Sequence, residues 1–154
     1  MSARIETVGE QDLADLLPLL RGYCDFYGAD TADERLLEVS RALIADPERD
    51  GVQLIARGED GRALGFATVY WSWETLAAGR IGVMNDLFVA PEGRGSGLAE
   101  ALIEACRALC AQRGAQRLTW QTARDNHRAQ AVYDRIGGAR SEWLDYSLPV
   151  RVAP

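Results

Sequence analysis

Two stretches in the second half of the chain carry residue types and spacings that could do chemistry. The first is Arg94-Gly95-Ser96-Gly97-Leu98-Ala99. There a predicted strand ending at Val89 gives way, through Ala90-Pro91, to a glycine-rich turn and a helix opening near Ser96. A helix start exposes unpaired N–H groups and partial positive charge, and so attracts phosphate oxygens. Gly95 and Gly97 let backbone approach a ligand with no Cβ in the way, and Arg94 adds a charge-assisted donor. Absences narrow the ligand. A P-loop needs a lysine that this loop lacks. A Gly-x-Gly-x-x-Gly register begun at Gly93 or Gly95 ends on Leu98 or Glu100, so the dinucleotide fingerprint fails. Taken alone, the loop reads sooner as a tight turn before a helix than as a ligand site.

The second stretch is Asn126-x-x-Ala129-x-x-Val132-Tyr133-x-x-x-Gly137. Arg94-x-x-Gly97-x-Ala99 resembles the Arg/Gln-x-x-Gly-x-Gly/Ala motif of the GNAT superfamily of N-acetyltransferases. The Asn126 stretch resembles that family's Asn-x-x-Ala-x-x-Leu-Tyr-x-x-x-Gly-Phe segment, departing from it at Gly138, where phenylalanine is usual. The resemblance implies acetyl-CoA as the acyl donor. It implies that backbone groups of Leu87, Phe88 and Val89 pair with the pantetheine arm and supply the oxyanion N–H. The amides of Arg94, Gly95, Ser96, Gly97, Leu98 and Ala99 would hold the pyrophosphate, and Asn126 would contact the cofactor arm. Tyr133 matches the tyrosine that protonates the leaving sulfur; without the motif it reads as a core aromatic at helical spacing.

The general base is less determined. Asn85-Asp86 stands where spermidine/spermine acetyltransferases carry Glu-Asp. Strand alternation sends Asn85 and Asp86 to opposite faces unless a bulge intervenes. Asp86 is thus either a base or substrate contact or a structural hydrogen-bond partner, with a water chain as the alternative and Glu74 a weaker candidate. For the acceptor, Tyr23, Phe26 and Tyr27 cluster late in the first helix, and Tyr70, Trp71 and Trp73 follow in a strand. Together they would form an aromatic wall able to hold an ammonium group by cation–π contact. The expected acceptor is a primary amine of a small molecule, polyamine- or amino-acid-like. A peptide or protein acceptor, or a non-catalytic acyl-CoA-binding module, are the competing readings.

The elements that must position these residues are read from hydrophobic period. A strand is expected at Arg4–Val8, then a helix through Tyr27 that Pro18, inside it, should kink. A capping box at Thr31-Ala32-Asp33-Glu34 starts a second helix that stops near Asp46-Pro47. Val52–Ala56 and Ala63–Trp73 form a hairpin across Gly58-Glu59-Asp60-Gly61, and Ile81–Val89 is a further strand. A helix runs from the loop to Gly114, Leu118–Thr122 is a strand, Asn126–Ile136 a helix and Trp143–Val150 a last strand. The order β-α-α-β-β-β-α-β-α-β predicts one α/β domain over 1–154: a twisted, mostly antiparallel mixed sheet with helices on both faces.

Composition excludes several classes. All 17 basic residues among the 154 are arginine, which removes Schiff-base chemistry. The net charge of −6 and the lack of a basic cluster disfavour nucleic acid and suit a cationic acceptor. Three cysteines with no CxxC pair and one histidine leave too few ligands for a conventional zinc site. No apolar run reaches the ~20 residues of a membrane span, and the first residues lack a signal-peptide core; a cytoplasmic location is expected. The resemblance to the GNAT superfamily implies a possible homodimer paired through last strands, with the Trp143–Val150 segment as the edge at risk.

Overall fold

The computed structural model describes residues 2–152. The apolar runs between Gly51 and Val89 build the centre of a five-stranded sheet: β2 (Gly51–Arg57), β3 (Ala63–Glu74) and β4 (Gly79–Val89), with β1 (Arg4–Thr7) on one edge and β5 (Leu118–Thr119) on the other. Spatial order follows chain order, β1-β2-β3-β4-β5. Neighbours are antiparallel except β4 and β5, which run parallel.

Because consecutive strand residues face opposite ways, the sheet buries two layers. Ile55 and Phe66 meet Leu13, Leu16, Leu19 and Leu20 of α1 (Leu13–Phe26), with α2 (Asp33–Ala45) packed beside it. Leu54, Ala67, Val69 and Met84 meet Leu98, Leu102, Ile103 and Cys106 of α3 (Leu98–Gln112) on the other face, where side chains of α4 (His127–Arg135) also pack. Close approach of α3 depends on Gly82: a Cβ there would stand 2.5 Å from Cys110 Sγ.

α1 carries the aromatic cluster, and its start is fixed by a largely buried ion cluster. The Arg57 guanidinium donates at 2.8 Å to Asp12 and at 2.8 Å to Asp15, and Asp12 also accepts from the Gly9 amide at 2.9 Å. Burial disfavours the Asp12 carboxylate, but the Gly9 amide and Arg57 outweigh it and hold its pKa below the ordinary range.

Most expected elements form, with three differences. α2 begins at Asp33 after Ala32 with no side-chain cap, so the Thr31 capping box is not made; the Thr31 carbonyl instead accepts from Arg21. β5 covers only Leu118–Thr119, not Leu118–Thr122. The expected strand Trp143–Val150 is absent: residues 139–152 have no regular structure, because their apolar side chains find no surface on this protomer and stay exposed. α1 accommodates Pro18 as one continuous helix.

Replacing Arg57 by Met should leave the Asp12 carboxylate largely buried and unpaired, lowering the unfolding free energy by about 3–5 kcal/mol at neutral pH. The lowered folded-state pKa of Asp12 makes its ionised contribution full above its unfolded value and lost as pH falls through the folded value. The difference between wild type and variant in denaturant titrations should therefore shrink below about pH 4.

Candidate active site

The site begins where the sheet comes apart. β4 and β5 share only two register pairs, Gly82 with Leu118 and Val83 with Thr119. Past Val83, β4 continues to Val89 with no strand on that side among the described residues, while the chain after β5 turns away. The wedge between them is a cavity of about 560 Å³. Leu87, Phe88 and Val89 line it from β4, Trp120, Gln121 and Thr122 from beyond β5, and Asn126, Val132 and Tyr133 from α4.

At one end lies the glycine-rich loop. Gly95 and Gly97 have φ of 74° and 80°, the left-handed region that side chains resist. A Cβ at either would meet nothing within 4 Å, so the backbone conformation is what calls for glycine. Gly97 is the residue preceding α3 and no side chain caps that helix; its first amides stay open to an anion. Arg94 Nε donates to the Val89 carbonyl at 3.2 Å and Ser96 Oγ to the Gly93 carbonyl at 2.5 Å, which ties the loop to the end of β4. Arg94, Gly95, Gly97, Leu98 and Ala99 line the cavity; Ser96 shapes the turn from behind. Asn126 caps α4, its Oδ1 accepting from the Ala129 amide at 3.2 Å.

At the other end a bulge does interrupt β4. Thr68 is paired with Asp86 but Val69 with Met84, leaving Asn85 as an extra residue. Asn85 lines the cavity, and its Nδ2 donates to Asp86 Oδ1 at 3.0 Å. Asp86 sits behind it, half-buried and outside the lining. Burial raises its pKa, against the opposing hydrogen bonds of Thr68, Tyr23 and Asn85. Beneath it, Gln53 Nε2 donates to Thr68 Oγ1 at 3.1 Å. Gln53, Thr68 and Asp86 thus form a polar row across three neighbouring strands.

Tyr23, Phe26 and Tyr27 of α1 form the wall above Asn85. Tyr23 and Tyr27 rings lie 4.9 Å apart, Phe26 and Tyr27 5.0 Å apart, and Tyr23 Oη donates to the Asn85 carbonyl at 3.3 Å. Tyr133, packed edge-on to Trp120 at 5.3 Å, has its pKa raised by burial and then by Tyr27, so its phenol holds its proton at neutral pH.

Trp71, Trp73 and Glu74 lie outside the cavity lining. Trp71 Nε1 donates to the Pro47 carbonyl and its ring stacks under Arg80. Trp73 is exposed, and Glu74 pairs with Arg117. β3 carries these residues past the bulge, beyond the wedge. Sequence reading missed Trp120, Arg128 and Arg135 in the lining, and the Gln53–Thr68 pair. The pair did leave a signal: each is a single polar residue inside an apolar strand run.

The acetyltransferase (GNAT) family profile matches residues 16–138, spanning the wedge, the loop and Tyr133. The chain belongs to that family. Among GNAT relatives, the uncharacterized N-acetyltransferase YhfO of Bacillus subtilis is 32% identical over 126 residues, covering 82% of this chain and 83% of the relative. The crystal structure of a probable acetyltransferase superposes with a TM-score of 0.84 at 30% identity, covering 97% of this chain and 99% of the other. The aminoglycoside N-acetyltransferase AAC(6')-Iy in complex with CoA shares the fold, with a TM-score of 0.84 at 18% identity over 96% of this chain and 95% of that one. This GNAT chain is an acyl-CoA-dependent N-acetyltransferase.

Two outcomes test the geometry. Gly97→Asp puts a carboxylate and a strained φ beside the open amides and should weaken CoA binding at least about tenfold by calorimetry, roughly 1.4 kcal/mol. Thr68→Val removes one donor to Asp86, so the Asp86 carboxyl titration followed by NMR should move to higher pH. The same change strands the buried Gln53 amide and should cost about 1–3 kcal/mol of stability.

Proposed function

We propose that this enzyme moves the acetyl group of acetyl-CoA to a primary amine of a small molecule, polyamine- or amino-acid-like, by direct attack with both substrates bound. One observation carries the reading: a single cavity has cations at one end and an aromatic wall backed by a carboxylate at the other. Its lining cations, Arg94, Arg128 and an Arg135 paired with the lining Glu100, come from the loop and α4, and none comes from α1 or β4. The residues fit the donor. The left-handed glycines and uncapped α3 start suit a pyrophosphate, and the free edge of β4 at Leu87–Val89 suits an amide-bearing arm.

Acetyl-CoA supplies an activated thioester. The protein's part is to hold it along β4, with a backbone N–H of Leu87–Val89 facing the carbonyl oxygen. Tyr23, Phe26 and Tyr27 would hold the ammonium form of the acceptor by cation–π contact. Asp86, through an intervening water, takes the proton that the amine must lose. The amine nitrogen then bonds to the acetyl carbon as the carbon–sulfur bond breaks, and Tyr133 gives its proton to the departing thiolate. The three free, buried cysteines suit the reducing conditions of the cytoplasm, and a homodimer is part of the same reading.

Thiol release from acetyl-CoA over a panel of polyamines, amino acids, aminoglycosides and peptides should show turnover with small primary amines. Turnover with peptides alone would favour a protein acetyltransferase, and none with any amine a binding module. Tyr133→Phe should lower kcat about a hundredfold with CoA affinity unchanged. In wild type, kcat/KM should rise with pH through the raised pKa of Asp86, because only the ionised form accepts a proton; Asp86→Asn should abolish that rise.

A further inference from the structure

Between Val52 and Ala56 every β2 side chain but Gln53 is apolar. Gln53 points to the same face as Ile55, toward α1 and α2, and is 5% exposed. An amide in such a layer is unfavourable to bury, and the penalty here is only partly offset. Nε2 donates to Thr68 Oγ1 at 3.1 Å, while Oε1 is buried with no partner. A leucine or methionine at this position would pack without that loss, so stability alone does not account for a glutamine.

What the amide does is fix a direction. Thr68 lies opposite Gln53 across β2 and β3 and opposite Asp86 across β3 and β4, on a face where directly opposed side chains touch. A hydroxyl has one proton and two lone pairs. The Gln53 N–H occupies a lone pair of Thr68 Oγ1 and cannot accept, so the Thr68 proton has no use on the β2 side. It turns to Asp86, whose carboxylate it bonds. The same arrangement penalises a protonated Asp86, because its O–H would have to donate toward a hydroxyl already aiming its own proton back. Two donors in line also strengthen one another. No charged side chain enters this balance. Beside burial, Asp86 responds to Thr68 on β3, Tyr23 on α1 and Asn85 on β4. Tyr23, and Tyr70 on β3, face it as phenols that burial, and then Asp86, keep protonated.

We infer that Gln53 is a positioning residue for the reaction: from β2, outside the cavity lining, it holds the Thr68 hydroxyl proton on the Asp86 carboxylate and so keeps Asp86 ready to receive the acceptor's proton. The catalytic consequence rests on Asp86 being the proton acceptor; the control of Asp86 by Gln53 does not. With Thr68 fully buried and Gln53 nearly so, no bulk water competes for the hydroxyl. That is why a side chain with no place in the cavity wall can reach the chemistry.

Gln53→Met keeps the side-chain length and removes the donor. The Asp86 carboxyl titration followed by NMR, and the rise of kcat/KM with pH, should both move upward by about half a unit to one unit. Below the midpoint kcat/KM should fall about three- to tenfold, and well above it the two profiles should meet. Thr68→Ser, which keeps the hydroxyl, should leave both curves in place. Ile55→Val, which loosens the same layer without touching the row, should lower stability and move neither. An unmoved Asp86 titration in Gln53→Met, or an equal movement in Ile55→Val, would overturn the role of Gln53. A moved titration with an unmoved rate profile would uphold the control by Gln53 and sink Asp86 as the proton acceptor instead. If Gln53→Met does not fold, the wild type decides. Its Gln53 side-chain amide resonances should shift with the Asp86 midpoint and lose that step in Asp86→Asn; amide signals flat across that pH range would overturn the coupling.

Discussion

The structure depends on the parting of two parallel strands. β4 and β5 stay paired for two residues and then diverge, so β4 runs on to Val89 with one row of backbone donors and acceptors facing a cavity instead of a neighbour. Buried peptide groups must find partners, and in an enzyme a ligand with peptide-like groups can provide them. The divergence also places the α3 start, with its open amides, at the mouth of the same wedge. Parallel pairing makes this arrangement natural, because successive parallel strands are joined by a helix and their carboxyl ends lie beside that helix's beginning.

Across the sheet from that edge, the polar row of Gln53, Thr68 and Asp86 crosses an otherwise apolar layer. Such groups are tolerated in a core only when they satisfy one another. Here each bonds the next, though the buried Gln53 Oε1 has no partner, and the row ends at a carboxyl that burial keeps from ionising easily and three donors keep from becoming neutral too easily. The bulge at Asn85 is what brings the end of the row to the cavity. Regular alternation would have turned either Asn85 or Asp86 away; the inserted residue lets one line the space while the other stands behind it.

Local chemistry was legible in the sequence wherever a short motif or a strong period carried it. The Gly95 and Gly97 turn, the helix opening near Asn126 and the β2–β3 hairpin could all be read from neighbours within a few positions. Long-range facts could not. Strand pairing ahead of Val83, which sets Trp73 and Glu74 opposite Arg80 and Gly79 and so away from the site, depends on register along the whole of β3 and β4. The bulge could be named as a condition but not located. The 143–152 segment has a strand pattern and still forms no strand, because pattern describes a willingness to pair and no strand of this protomer takes up the pairing.

The all-arginine composition has a last consequence. The ion pairs that brace this molecule, from Arg57 with Asp12 to Arg140 with Asp134, use guanidinium groups that stay protonated at any physiological pH. An enzyme that works with a reactive thioester is surrounded by its own reagent, and ordinary lysines, in their small neutral fraction, are targets for it. This chain offers no side-chain amine to acetylate, so its charge, its bracing and its surface are immune to self-modification by the chemistry it performs on others.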